Sequence, residues 1–231
     1  MIKYQNPLKT LTKFEWILLI SSIVIVTVCF LCLPEKNILT LIATLFGVVG
    51  LIFIAKGDPI GQIIVMFFSL FYSFISYQNR YYGELITYLF MSTPSAIASA
   101  IVWFKNPSKR SANEVKIKKL TKKNIIFLTI SSIIVTAIFY FILKHFNTQN
   151  LIISTISITT SFVASILTFM RSPYYGLAYG ANDVVLIVLW VLVSINNVEY
   201  VPMIICFVVF LINDSYGFYN WRKINKKQNE N

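Results

Sequence analysis

Two apolar runs, Asn37-Ile-Leu-Thr-Leu-Ile-Ala-Thr-Leu-Phe-Gly-Val-Val-Gly-Leu-Ile-Phe-Ile-Ala55 and Ile60-Gly-Gln-Ile-Ile-Val-Met-Phe-Phe-Ser-Leu-Phe-Tyr-Ser-Phe-Ile-Ser-Tyr-Gln78, are separated only by Lys56-Gly-Asp-Pro59. Neither run holds a charged side chain, and each is close to the length of about 20 residues that a helix needs to cross a bilayer. The four residues between them carry turn chemistry, so the pair reads as two membrane-spanning helices joined at one face.

Comparable runs without internal Lys or Arg occur at Phe14 to Pro34, Leu85 to Phe104, Asn124 to Leu143, Leu151 to Met170, Tyr174 to Ile195 and Tyr200 to Phe218. The expected fold is therefore an all-α integral membrane protein with eight transmembrane helices. Composition agrees: 57% of the 231 residues are hydrophobic and only 13% charged, about half the charge of a soluble domain. A water-soluble globule is excluded, and no room remains for a soluble catalytic domain. The first run is of span length and ends in Leu33-Pro34 rather than at a small-residue cleavage site, which reads as a retained helix.

The net charge of +11 would suggest a nucleic-acid partner in a soluble protein, but here the basic residues sit in blocks between apolar runs. Seventeen of the 20 Lys and Arg fall on one side of the alternating spans, in the N-terminal tail, the 2–3, 4–5 and 6–7 loops and the C-terminal tail. By the positive-inside rule both termini are expected in the cytoplasm, and a multi-pass protein of a bacterial inner membrane is the expected location. The heaviest block, Lys105 through Lys123, reads as a topology anchor against anionic lipid. Cys29, Cys32 and Cys206 all lie in apolar runs, where neither disulfide, zinc site nor other metal site is expected. No cofactor is indicated, and nucleic acid is not an expected partner.

A weak internal repeat is visible. Asn37 to Trp103 and Asn150 to Trp221 both read as three helices, with Ala55-Lys-Gly-Asp-Pro59 answering Met170-Arg-Ser-Pro173 and Trp103-Phe-Lys105 answering Trp221-Arg-Lys223. Three helices reverse the side of the chain, so an intervening helix is needed for a second unit of the same orientation. The expected organisation is a tail and extra helix (1–36), a first three-helix repeat (37–104), a basic loop and linking helix (105–149), a second repeat (150–221) and a tail (222–231). Parallel repeats of this kind bind substrate near the midplane between the units.

Two acids lie deep within spans, Asp183 and Asp214, each following an asparagine, Asn182 and Asn213. Glu15, Glu84 and Lys144 are expected at span edges, within reach of water. A midplane carboxylate costs at least ~3 kcal/mol unless it faces a cavity, pairs or is protonated. Such groups mark function, or else an interhelical polar network that fixes packing. Tyr175, Tyr179, Asn182 and Asp183 are spaced i, i+4, i+7 and i+8, on one helix face. Aromatic rings, an amide and an acid in that order suit a flat heterocycle attached to a sugar, and a cationic ring would gain from the tyrosine faces. Gly176 and Gly180 form a G-x-x-x-G spacing that suits close helix packing. Tyr72 is the expected contribution of the first repeat, Tyr216 completes the candidate substrate set, and Tyr219 and Trp221 read as interface anchors. Pro94, within Ser92-Thr-Pro-Ser95, should break the fourth span near its middle. The single histidine, His145, has no ligand or catalytic partners in sequence, so an enzyme is not expected.

The pattern resembles the bacterial PnuC-type nicotinamide riboside transporters, relatives of the SWEET sugar transporters. Carrying the resemblance are Phe14-Glu15, Gly47-Val-Val-Gly50 leading to Ala55-Lys56-Gly57, Tyr82-Gly83-Glu84, Pro94 with Trp103 and Lys105, Asn182, and Asn213-x-x-Tyr216-Gly217-x-x-x-Trp221. It implies import of nicotinamide riboside by facilitated diffusion, made productive by phosphorylation inside the cell, in a homotrimer. The family's riboside members carry two tryptophans three apart ahead of the position of Asn182, whereas this chain reads Tyr174-Tyr-Gly-Leu-Ala-Tyr-Gly-Ala181. A nucleoside or another vitamin is the alternative substrate, and a non-transporting membrane scaffold the rival class.

Overall fold

The computed structural model describes residues 3–32, 38–78, 82–148, 150–195 and 201–230. The helices are α1 (Lys13–Leu31), α2 (Ile38–Ala55), α3 (Ile60–Gln78), α4 (Tyr82–Ile86), α5 (Thr93–Lys105), α6 (Lys122–His145), α7 (Leu151–Phe169), α8 (Tyr175–Ser194) and α9 (Val201–Asn229). Among the described residues, eight helices are long and apolar enough to cross a membrane, α4 and α5 forming one of them, Glu84–Lys105. The exit of the first span at Leu33-Pro34 and the turns at residues 79–81 and 196–200 lie outside the described residues.

Packing closes six helices into a ring in the order α2, α3, α5, α7, α8, α9. α1 lies on the seam between α2 and α9, and α6 lies against α7. Most of α6 is exposed, with only Ser132 and Leu143 buried, and a hydroxyl contact of 2.7 Å between Thr136 and Thr159 ties it to α7. The apolar side chains that α6 turns outward suit lipid, which solvates them as well as a protein core does.

The fourth span is broken where Pro94 predicts. Residues Thr87–Ser92 form a π-helical turn between α4 and α5. Pro94 has no N–H to continue the i→i−4 ladder, and the chain slips by one residue so that the Thr93 N–H reaches the Tyr88 carbonyl. The Thr93 hydroxyl donates to the same oxygen at 2.9 Å.

All five segments that carry the basic residues meet at one end. Tyr4 donates to Asp58 at 2.6 Å, the Asn113 amide donates to the other Asp58 oxygen at 2.9 Å, and the Gln5 N–H donates to Asn113 at 2.7 Å. Burial, and then the hydrogen bond to the Asp58 carboxylate, push the Tyr4 hydroxyl above the ordinary phenol range. Residues 106–121 form an ordered strap: the Val115 N–H donates to Gly57 at 2.9 Å and the Lys118 N–H to Arg171 at 3.0 Å. The Ile117 N–H donates to the Gln228 side chain of α9 at 2.9 Å. The basic block is thus a hydrogen-bonded clamp rather than only an anchor against lipid.

The turns after α2 and α7 share one local geometry. Gly57 and Arg171 both have positive φ, 77° and 58°. The N–H groups of Gly57 and Asp58 return to Ile54 and Phe53 as those of Arg171 and Ser172 return to Thr168 and Leu167. Two tryptophans then cross between the halves: Trp103 donates to the Thr168 carbonyl at 3.0 Å and Trp221 to the Ile54 carbonyl at 2.9 Å. Their rings meet at 5.1 Å, and both are fully buried.

Two expectations need correction here. Trp221 is not an interface anchor, because α9 continues past it to Asn229 and encloses it against Trp103, Tyr175 and Ile224. Glu15 does not reach water: it is 2% exposed, caps α1 through Thr12, and pairs with Lys56 at 2.9 Å.

Candidate functional site

The face of α8 read from its spacing is directed inward. Tyr175 is fully buried, its ring 4.6 Å from Trp221 and 6.4 Å from Tyr179, so it lies beneath Tyr179 in the core of the basic end. Close approach of α9 makes this possible, since a Cβ on Gly176 would come within 2.7 Å of the Asp214 carbonyl and the Phe218 nitrogen. One turn on, the hydroxyls of Tyr179 and Ser165 are 3.2 Å apart. The Asn182 carbonyl oxygen accepts from Thr160 at 2.8 Å and from Ser157 at 3.5 Å.

Asp183 and Asp214 are each 3% exposed and meet side chain to side chain across the α8–α9 interface. The Asp183 Oδ2 has no protein hydrogen-bond partner among the described residues. Asn213 points elsewhere, donating to Ser22 of α1 at 3.1 Å and to Val209 at 2.8 Å, with its own oxygen unpartnered. Tyr216 lies at the basic end, donating to Glu15 at 2.9 Å beside the Phe14 ring at 5.1 Å. The structure therefore gathers Tyr179, Asn182, Asp183 and Asp214, with Tyr175 beneath them, and sets Asn213 and Tyr216 apart.

The first half contributes an aromatic wall. Tyr72 and Tyr88 have ring centroids 4.4 Å apart, and Phe68 bridges from Tyr72 at 5.7 Å to Phe210 of α9 at 6.2 Å. Tyr88 lies within electrostatic reach of Asp183 and of Glu84, and the Tyr72 hydroxyl is within hydrogen-bonding range of Glu84. Glu84 is the first residue of its span, as expected, and is part-buried there. In sequence Glu84 reads as a span-edge acid, and Tyr88 does not stand out. The available signal is Pro94, whose π-turn resets the register that a regular helix would give them. Among the described residues no cluster of His, Cys, Asp or Glu is arranged to hold a metal ion.

A buried pair of carboxyls, an amide and tilted tyrosine rings lie between the two helical halves. The family model described as "Nicotinamide mononucleotide transporter" matches residues 37–223. The chain belongs to this transporter family. Members are transporters and not enzymes, and the match covers the ring up to residue 223 of α9 while leaving α1 outside it. Similar proteins include the nicotinamide riboside transporter PnuC of Neisseria mucosa, 24% identical over 220 residues, covering 94% of this chain and 83% of the relative. That of Haemophilus influenzae is 23% identical over 192 residues, covering 83% of this chain and 82% of the relative. A crystal structure described as the vitamin B3 transporter PnuC superposes with a TM-score of 0.81 at 25% identity, covering 94% of each chain.

Proposed function

We propose that this chain carries nicotinamide riboside across the membrane by facilitated diffusion, with phosphorylation inside the cell maintaining the inward gradient. The observation that carries this reading is the Asp183–Asp214 pair beside Tyr179, Tyr72 and Tyr88. A carboxylate near the midplane costs at least ~3 kcal/mol, and a pyridinium ring offsets that cost through charge while stacking on the tyrosines. The ribose hydroxyls donate to the carboxyls and the carboxamide oxygen accepts from Asn182. Asn213 and Tyr216 hold the α1 side of the site in place, and Tyr175 supports Tyr179.

The same chemistry favours the riboside over the mononucleotide. No Lys or Arg lies in the interior of any apolar run, so a phosphate dianion at this site would face two acids with no cation to receive it. The tyrosines standing where the family's riboside members carry tryptophans favour a second reading, a neutral nucleoside. The shared turns after α2 and α7 and the crossed tryptophans support two parallel three-helix repeats, 37–104 and 150–221, around the linking helix. The gathering of the basic segments supports cytoplasmic termini in a bacterial inner membrane, and the resemblance supports a homotrimer.

Calorimetry on the purified protein in detergent, titrating nicotinamide riboside, nicotinamide mononucleotide, thymidine and deoxyadenosine, tests the reading. Heat from the riboside alone is expected. Heat from the mononucleotide would contradict the electrostatic argument, heat from the nucleosides would move the substrate, and silence throughout would revive the scaffold class.

A further inference from the structure

At the basic end the last turns of α9 present two different faces. Trp221 and Ile224 are buried, whereas Tyr219, Arg222, Lys223 and Lys226 are spaced i, i+3, i+4 and i+7 and share the other side. With Pro173 and Tyr174 from the turn before α8 they line a groove of about 570 Å³. Its aromatic walls are open to the surroundings, Tyr174 being 52% and Tyr219 64% exposed. The Arg222 guanidinium lies 5.6 Å over the Phe218 ring, and that ring is 6.3 Å from Tyr174. The stack holds the planar group in place while its N–H edge stays free to donate.

The cations of the groove have no counter-charge of their own among the described residues. In that set the ion pair formed is Lys56 with Glu15; no carboxylate meets Arg222, Lys223 or Lys226. Like charges four residues apart, as Arg222 and Lys226 are, destabilise a helix by a few tenths of a kcal/mol. The helix dipole accounts for basic residues only in the final turn, and α9 runs on to Asn229, beyond Arg222 and Lys223. A topology signal needs positive charge on the correct side but no convergence on one groove with two tyrosines.

We propose that this groove binds a phosphate group, either the headgroup phosphate of an anionic phospholipid in the adjoining leaflet or the phosphate of a soluble ester. An arginine fork with two lysines matches phosphate oxygens, and tyrosines at headgroup level suit a membrane-facing site. The bound group bridges the turn that starts α8 to the end of α9, the two helices that carry Asp183 and Asp214. The corresponding end of α5 has no such site, because after Lys105 the chain leaves the helix and enters the strap.

The test compares the full chain in detergent with R222Q/K226Q, with K223Q/K226Q, which keeps the Arg222–Phe218 stack, and with K109Q/K119Q, which removes two exposed charges from the strap. Native mass spectrometry and thermal unfolding are read with phosphatidylglycerol, with phosphatidylcholine and with millimolar inorganic phosphate at matched ionic strength. Wild type and K109Q/K119Q are expected to retain phosphatidylglycerol in preference to phosphatidylcholine and to melt several degrees higher with it; both groove variants are expected to lose the difference. Displacement of the lipid by inorganic phosphate supports a site that also takes soluble esters, and retention supports the lipid headgroup. Equal loss in K109Q/K119Q, or no lipid preference in wild type, would overturn the proposal.

Discussion

The basic end and the middle of the bundle differ in how their buried polar groups are met, although among the described residues the basic end also keeps the Tyr175 hydroxyl and the Gln62 NH2 group without a protein partner. At the basic end Asp58 has Tyr4, Asn113 and the Ile60 N–H as donors, and both tryptophan N–H groups find carbonyls in the other half. Toward the middle, the Asp183 Oδ2, the Asn213 Oδ1 and the Ser69 and Ser99 hydroxyls have no protein partner among the described residues. Satisfied groups hold a structure together, while unsatisfied ones cost stability unless something else meets them. The difference sets a region whose hydrogen bonds tie the two halves together against one where several buried polar groups lack a protein partner.

Breaking the basic end should give the largest stability loss. Trp221→Ala and Trp103→Ala each remove a fully buried ring and its cross-half hydrogen bond, at about 3–5 kcal/mol, read as a lowered thermal midpoint in detergent. Asp183→Asn should do the reverse, leaving the midpoint nearly unchanged while weakening nicotinamide riboside by about 10–100-fold, the worth of a hydrogen bond to a charged group. Equal melting losses from both substitutions would erase the distinction. Gly176→Ala tests where the two regions join, because its methyl group would press on the Asp214 carbonyl and the Phe218 nitrogen. It should cost about 1–3 kcal/mol and weaken binding as well, by shifting Asp214. The smallest effect is expected from Tyr4→Phe, which removes one donor from Asp58 for about 1 kcal/mol and leaves riboside affinity unaltered in calorimetry.

The spans and the gathering of the basic segments at one end were legible because both rest on composition: apolar length for the spans, and the distribution of Lys and Arg for the end at which five segments meet. The strap was not legible. Asn113 and Gln228 follow no period, and their partners, Gln5 and Asp58 for the one and residues 114–117 for the other, are more distant in the chain than any local pattern reaches. Trp221 was misread because its neighbours in sequence are charged, while its depth depends on where α9 ends. On α8 the 3.6-residue period found the inward face, but periodicity says nothing of depth along a helix. Tyr175 and Tyr179 share a face, yet one lies in the core against Trp221 and the other beside the acids. Tyr88 escaped because it lies in the π-turn, which breaks the regular period on which face assignment depends.

The most direct test of the account is uptake of labelled nicotinamide riboside into vesicles holding the purified protein, with no ion gradient, for wild type and Asp183→Asn. The account predicts that wild type equilibrates the riboside across the membrane and that Asp183→Asn, folded and melting as wild type does, is at least about tenfold slower, as loss of a charge-assisted hydrogen bond implies. Equal uptake by the two proteins, or none by wild type, would contradict it.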